Sequence, residues 1–150
     1  MTLLPGTEMS LGVIADVTFK LVLAALLGGV IGFEREYDKR PAGLRTNILI
    51  CLGAAMFGLI GTYTFPQDQA SLSRIWQNVL TGVGFLGAGA VIKEEHSIHG
   101  LTSAAGIWAV AAVGLAVAGG LYALAIIGDA IILITLFVLR RAELRVEHKA

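Results

Sequence analysis

Residues 33–46 read Phe-Glu-Arg-Glu-Tyr-Asp-Lys-Arg-Pro-Ala-Gly-Leu-Arg-Thr, a densely charged segment between two apolar stretches that are each long enough to cross a bilayer. Four of the eleven Lys and Arg residues of the chain lie in this segment. Because the cytoplasmic loops of membrane proteins carry an excess of positive charge, the segment predicts which side of the membrane it faces. The rest of the topology follows from that assignment.

The composition of the 150 residues is typical of a membrane protein. Hydrophobic residues make up 56% and charged residues 15% of the chain, and the mean hydropathy is +0.79. The formal net charge is zero, so no overall field favours binding to nucleic acid. The 19 glycines are typical of closely packed membrane helices. The one cysteine, Cys51, lies in an apolar block, which favours a packing role over a disulfide.

Five apolar stretches approach the roughly 20 residues that a membrane helix needs. They predict helices at about residues 11–33, 47–65, 75–92, 101–118 and 121–139, followed by a short cytoplasmic tail at 140–150. No intervening loop is long enough for a soluble domain. The expected fold is therefore a single all-α integral membrane domain of about five helices over residues 1–150, and the first helix is expected to be retained because it lacks the features of a cleaved signal.

Positive charge orients the five predicted spans. Nine Lys and Arg residues fall on one side, in the segment 33–46, the loop 93–100 and the tail. The other side keeps Arg74, with Lys20 near the outer end of the first helix. This asymmetry predicts that the N-terminus is outside and the C-terminus inside.

Two short segments indicate an internal repeat. Gly43-Leu44-Arg45-Thr46 opens the second helix, and Gly100-Leu101-Thr102-Ser103 opens the fourth helix 57 residues later. Two helix–loop–helix units with the same orientation would form a parallel repeat about an axis along the membrane normal. The alternative is chance, because small-residue helices resemble one another by composition alone.

A run of glycines in the third helix has two interpretations. Gly82-Val83-Gly84-Phe85-Leu86-Gly87 fits the spacing G-x-G-x-x-G. A dinucleotide site requires a strand before that motif and a helix opening at it, whereas this motif lies inside an apolar span. Helix packing is favoured, because small residues let helix backbones approach closely in a membrane. The glycines predicted on packing faces are Gly28, Gly32, Gly82, Gly84, Gly87, Gly89 and Gly114.

Asp129 is the sharpest candidate for a functional side chain. It lies eight residues into the fifth helix, about 12 Å deep at the rise of an α-helix. An ionised carboxylate at that depth is costly unless it is paired, hydrated or protonated. Asp129 is therefore either part of an ion path or a protonated side chain that bonds a neighbouring helix.

Asp16 and Lys20 are spaced i,i+4 and therefore share one face of the first helix, where they can pair. Lys20 either extends outward to the interface or lines a polar vestibule that faces Asp129 across the bundle.

Glu34, Arg35 and Arg45 lie at the cytoplasmic ends of the first two helices. They form either an ordinary interfacial charge cluster or a site for an anion or a partner carboxylate. Capping of the second helix by Thr46 or Asn47 would place Arg45 beside its N-terminus and raise the local positive potential.

The inner loop holds His96 and His99 with Glu94 and Glu95. Their spacing fits no zinc signature, so a solvated loop is expected and neither metal nor cofactor is predicted.

Five segments together resemble the MgtC/SapB family. They are Gly32-Phe33-Glu34-Arg35-Glu36, Pro41-Ala42-Gly43-Leu44-Arg45-Thr46, Cys51-Leu52-Gly53-Ala54-Ala55, the glycine run from Gly82 to Gly89, and Gly100-Leu101-Thr102-Ser103-Ala104-Ala105-Gly106-Ile107-Trp108. The resemblance covers about residues 17–139 in order. It implies a multi-pass protein of the bacterial inner membrane, in a family of which some members are associated with growth at low magnesium and survival inside macrophages. It also implies the F-type ATP synthase as a partner complex.

Two features of the chain depart from that family. Many members carry a soluble domain after the last helix, whereas this sequence ends eleven residues after Leu139, which predicts the short form. Thr102 and Ser103 keep the hydroxyl residues of the family pattern, so the resemblance makes Thr102 a candidate polar site. Gly106 replaces a hydroxyl residue of that pattern.

Three functions stay open at this point. The first is a regulatory or accessory membrane protein, linked to magnesium limitation or stress and acting by helix contact with another complex. The second is a small oligomeric transporter of magnesium or protons that uses Asp129, and the third is a purely structural membrane subunit. The sequence contains no nucleophile–base pair and no Walker loop, so no enzyme activity is expected. The expected partners are the lipid bilayer, further copies of the chain and a membrane-protein complex.

Overall fold

The computed structural model describes residues 10–94 and 97–147, with side chains described as far as Val138. The described chain forms five helices, which confirms the all-α fold class. The helices are α1 (Leu11–Tyr37), α2 (Leu44–Thr64), α3 (Gln69–Gly89), α4 (Leu101–Ala118) and α5 (Tyr122–Glu147). Two short antiparallel strands, β1 (Ile92–Lys93) and β2 (Ile98–His99), join α3 to α4 and were not predicted.

The charged segment 33–46 is only partly a loop, which corrects the prediction. Helix α1 continues to Tyr37, and Asp38 then donates its backbone N–H to the Glu34 carbonyl at 3.1 Å. The chain reverses through Lys39 and Ala42, which have φ values of 53° and 61°. Pro41 lies between them and disfavours a helical conformation at the residue before it. Helix α2 then begins at Leu44, with Gly43 rather than Thr46 or Asn47 at the N-cap.

Helix α3 begins at Gln69, six residues before its predicted start at 75, and ends at Gly89, three residues before its predicted end at 92. Its N-cap is Asp68, whose carboxylate accepts hydrogen bonds from the backbone N–H of Ser71 at 3.0 Å and from the Ser71 hydroxyl at 2.6 Å. These hydrogen bonds hold the pKa of the Asp68 carboxyl below its usual value. The first turns of α3 are polar, so a search for apolar stretches misses them. The capping residue Asp68 nevertheless marks the start of the helix in the sequence.

A glycine with positive φ flanks α4 at each end. Gly100 has φ +87° immediately before the first residue of α4. At the far end, Gly120 has φ +74°, its N–H bonds the Val117 carbonyl at 3.0 Å, and the N–H of Leu121 bonds the Ala116 carbonyl at 2.9 Å. This pair of bonds is a Schellman motif, which favours glycine at the left-handed position. The chain therefore turns tightly between α4 and α5, at the two residues that separate the predicted helices 101–118 and 121–139.

Among the described residues, three helices are long and apolar enough to cross a membrane by length and composition, namely α1, α2 and α4. The apolar part of α5, Tyr122–Val138, is shorter. The helical part of α5 extends eight residues beyond the predicted end at 139, into the segment expected to be a tail. That all five helices cross the membrane, with the N-terminus outside and the C-terminus inside, remains a prediction.

Helix α4 lies at the centre of the bundle. From Val110 to Ala118 every residue except Ala112 is buried, so the second half of this helix is covered by its neighbours on nearly every side. Its first half keeps an exposed stripe that includes Leu101, Ala105 and Trp108. Glycines bring the other helices close to it and to each other. A Cβ atom built at Gly28 of α1 would lie 2.7 Å from the Cβ of Cys51 in α2, and one built at Gly114 of α4 would collide with the Cys51 carbonyl oxygen.

Candidate functional site

A buried charged cluster lies at the end of the bundle where α1 ends and α4 begins; we call it the inner end, after the predicted orientation. Arg35 on α1 is only 5% exposed. Its guanidinium donates a hydrogen bond to the hydroxyl of Ser103 on α4 at 3.1 Å. The same group lies 3.6 Å from a carboxylate oxygen of Glu34. Because buried charges are stable only when they are paired and hydrogen-bonded, this cluster fixes the start of α4 against the end of α1.

Two further side chains organise the turn beside that cluster. Asn47 is 2% exposed, and its amide donates to the carbonyls of Ala42 at 2.5 Å and Gly43 at 3.0 Å. A carboxylate oxygen of Glu36 accepts from the backbone N–H of Leu44 at 3.0 Å, which satisfies an amide at the start of α2. The segment between α1 and α2 is thus held by side chains from both helices.

Not all of the residues predicted for the inner end join the cluster. Arg45 and Thr102 are exposed, whereas Arg35 and Ser103 are buried. The hydroxyl that bonds Arg35 therefore comes from Ser103, the neighbour of the candidate residue Thr102. A sequence signal could have identified it, because Ser103, Ile107, Val110 and Gly114 recur at helical spacing along one buried face of α4.

The opposite end of the bundle carries the predicted pair in α1. The ammonium of Lys20 lies 2.8 Å from a carboxylate oxygen of Asp16. The hydroxyl of Tyr63 on α2 donates to the same oxygen at 3.0 Å. Tyr122 at the start of α5 packs edge-on against Phe19, with ring centroids 5.6 Å apart. Three helices therefore meet around this pair.

Asp129 is buried in the bundle, where it is 4% exposed. It belongs to the buried stripe of α5, with Ala125 and Leu136 on the same face. Its Oδ1 atom is buried and has no hydrogen-bond partner among the described residues. An acceptor left unsatisfied in this way costs about 1–3 kcal/mol, and a charge at the same place would cost more.

The Arg35 cluster, Asp129 and the Asp16–Lys20 pair lie at three separate levels along the bundle. Asp129 follows Tyr122 by seven residues, so it lies about 10 Å further along the bundle than the Asp16–Lys20 pair. No hydrogen bond or ion pair joins Asp129 to that pair in the part of the chain that the structure describes. No direct contact between Lys20 and Asp129 therefore supports the alternative in which Lys20 lines a polar vestibule facing Asp129.

The predicted packing glycines fall into two groups. Gly28, Gly32 and Gly114 lie against neighbouring backbones, and Gly87 lies against Ala104. Gly82, Gly84 and Gly89 have no heavy atom within 4 Å of a built Cβ, so they do not pack within the described chain. Gly58, which was not predicted, packs tightly against the Cβ of Ala118. The run of residues 82–87 lies inside α3 and not between a strand and a helix, so it lacks the context of a nucleotide site.

The loop histidine His99 lies 3.8 Å from a carboxylate oxygen of Glu94 and 2.9 Å from the Ser97 hydroxyl. Among the described residues, no group of three or more His, Cys, Asp or Glu side chains could hold a metal ion. His96 and Glu95 lie outside the described residues.

One face of α3 is exposed along its length and formed mainly of small side chains. We call it the small-residue face, and it consists of Ser73, Gln77, Thr81, Gly84 and Ala88. The Thr81 hydroxyl donates to the Gln77 carbonyl at 2.9 Å, so its polar group is satisfied within the helix. This face is smooth and open to another helix.

Apolar helices that pack through glycine, with charged clusters at two ends, define a small all-α membrane protein. The chain belongs to the MgtC family, whose family model matches residues 21–145.

Curated relatives cover most of the chain. YhiD of Escherichia coli K12, whose name describes a proposed magnesium transporter, is 40% identical over 141 residues, which are 90% of this chain and 66% of YhiD. Protein MgtC of Salmonella typhimurium LT2 is 40% identical over 128 residues, which are 85% of this chain and 54% of that protein. Protein slr0014 of Synechocystis is 36% identical over 87% of this chain and 55% of its own length. The chain thus spans about half to two thirds of these relatives. No solved structure matches it significantly.

Proposed function

We propose that the chain is a multi-pass protein of the bacterial inner membrane that regulates or assists another membrane complex under magnesium limitation. The observation that carries this proposal is the small-residue face of α3. Membership of the MgtC family and the name of the YhiD relative support the link to magnesium. The F-type ATP synthase is the partner that the family resemblance favours.

The small-residue face has the properties that a helix contact in lipid requires. Association of membrane helices depends on close packing, because lipid tails are as apolar as the side chains they surround. Gly84 and Ala88 are one turn apart on this face and would let a partner backbone approach. Arg45 is exposed at the inner end and could pair with a partner carboxylate, whereas Arg35 is already held inside the bundle.

Replacing Gly84 with Leu is expected to abolish the partner contact without unfolding the chain, because its Cβ position is open. The measurement is co-purification of ATP synthase subunits from native membranes in mild detergent. Gly106→Leu is the matched control, since Gly106 also has no heavy atom within 4 Å of a built Cβ but lies on α4. Capture of further copies of the chain alone, or equal capture by both variants, would remove the support for this function.

The second candidate function is a small oligomeric transporter of magnesium or protons. It is favoured by one observation, the buried Asp129 with an unbonded carboxylate oxygen. Under this candidate Asp129→Asn abolishes transport and leaves expression intact, because the amide keeps the size of the side chain but cannot carry the charge. Growth at low magnesium of a strain that depends on this chain is the readout. Normal growth with Asp129→Asn would argue strongly against transport.

A further inference from the structure

A large apolar groove lies between α2 and α3, on a different side of α3 from the small-residue face. Its volume is about 970 Å³, at the upper end of ligand sites. Ile107 of α4 contributes to its lining. Gly53 and Gly82 also line it, and neither has a heavy atom within 4 Å of a built Cβ. The missing side chains of these two glycines thus widen the groove.

The groove is long enough to hold the acyl chains of one leaflet of a membrane. Its lining extends along α2 from Thr46 to Phe57, about 16 Å at the rise of an α-helix, and along α3 from Ile75 to Gly89, about 21 Å. Half of a hydrocarbon core of about 30 Å is about 15 Å. Apart from Thr46 and Asn78, the side chains that line the groove are apolar or absent.

Positive charge lies at one end of the groove. Helices α2 and α3 are joined by the short link after Thr64, so the start of α2 lies near the end of α3. Arg40 and Arg45 are exposed and directly precede lining residues of that end, and Lys93 is exposed three residues after the lining residue Ala90. Four described carboxylates lie near this end. Glu36 accepts from the Leu44 amide, Glu94 lies beside His99, Glu34 lies 3.6 Å from the Arg35 guanidinium, and Asp38 is half-buried.

From this arrangement we infer that the groove binds an anionic phospholipid from the leaflet on the side of residues 38–46. The acyl chains occupy the apolar groove, and the phosphate lies between Arg40 and Arg45. Basic pockets between membrane helices bind anionic headgroups in this way. A second copy of the chain could cover an apolar groove, but it would not require this cluster of cations at one end.

The test uses the full chain in nanodiscs of equal phosphatidylglycerol and phosphatidylethanolamine, then measures the lipid retained after transfer to detergent. Gly82→Leu partly fills the groove and is expected to lower retained phosphatidylglycerol about tenfold, the loss that excluding about two methylene groups of an acyl chain would cause. Gly106→Leu is the control, because its Cβ position is equally open but it does not line the groove. We expect Gly106→Leu to retain as much lipid as the unchanged protein.

A second variant tests the headgroup separately from the groove. Arg40→Gln combined with Arg45→Gln is expected to lower the preference for phosphatidylglycerol over phosphatidylethanolamine about tenfold, because each arginine near the surface contributes attraction to anionic lipid. Both residues are exposed, so this variant is expected to fold. Unchanged lipid retention in Gly82→Leu, or an unchanged preference in the double variant, would overturn the proposal. A loss of self-association in Gly82→Leu with lipid retained would assign the groove to a second copy instead.

Discussion

Replacing Arg35 with Met is expected to lower the free energy of unfolding by about 3–5 kcal/mol, because it removes one partner from a buried charged cluster. The guanidinium bonds Ser103 at 3.1 Å and lies 3.6 Å from the Glu34 carboxylate, so its loss affects both α1 and α4. The measurement is unfolding by denaturing detergent in mixed micelles, followed by circular dichroism. Ser103→Ala removes the hydrogen bond alone and is expected to cost about 1.5–3 kcal/mol.

Arg45→Met is the matched control for this prediction. Arg45 is an exposed arginine at the start of α2, so its replacement is expected to change stability by less than about 0.5 kcal/mol. Equal stability of the Arg35 and Arg45 variants would contradict the view that the inner cluster holds α1 against α4.

Replacing Gly114 with Leu is expected to prevent the bundle from assembling. Even a single Cβ atom at this position would collide with the Cys51 carbonyl oxygen and would lie 3.0 Å from the Cβ of Ala54. Backbone atoms cannot move aside as the end of a flexible side chain can, so the cost exceeds the 1–3 kcal/mol that is typical of overpacking. The readout is the yield of monodisperse protein after size exclusion, with thermal unfolding of whatever folds.

Gly106→Leu on the same helix separates the steric effect from helix propensity. Gly106 has open space at its Cβ position, and leucine forms helices better than glycine does. This variant is expected to fold with unchanged or slightly higher stability. A Gly114→Leu protein as stable as Gly106→Leu would show that α2 and α4 are not in close backbone contact at Gly114.

The number and type of the helices could be predicted from sequence, because five apolar stretches separated by glycine and charge leave few alternatives. The ends of the helices could not be predicted from the apolar stretches, because polar residues continue a helix as readily as apolar ones. Helix α1 runs through Glu34 and Arg35, and α3 begins at a capping Asp68 before its apolar part. The strands between α3 and α4 are two residues each and carry no periodic signal.

The candidate site was predictable in part for a similar reason. The i,i+4 spacing of Asp16 and Lys20 predicted their ion pair, which depends only on the geometry of one helix. The partner of Arg35 lies 68 residues away in sequence, so its identity depends on how α1 packs against α4. The packing of the glycines likewise depends on how the helices pack against one another. Their small size predicts close approach, but not that Gly114 is packed while Gly84 is open.

Our central proposal is that this chain acts by contact with another membrane complex and does not itself transport ions. The most direct test is flux of magnesium and of protons into proteoliposomes that contain folded, purified protein, with Asp129→Asn in parallel. Our account predicts no flux above that of empty liposomes for either protein. Flux in the unchanged protein that disappears with Asp129→Asn would contradict the account and place Asp129 on an ion path.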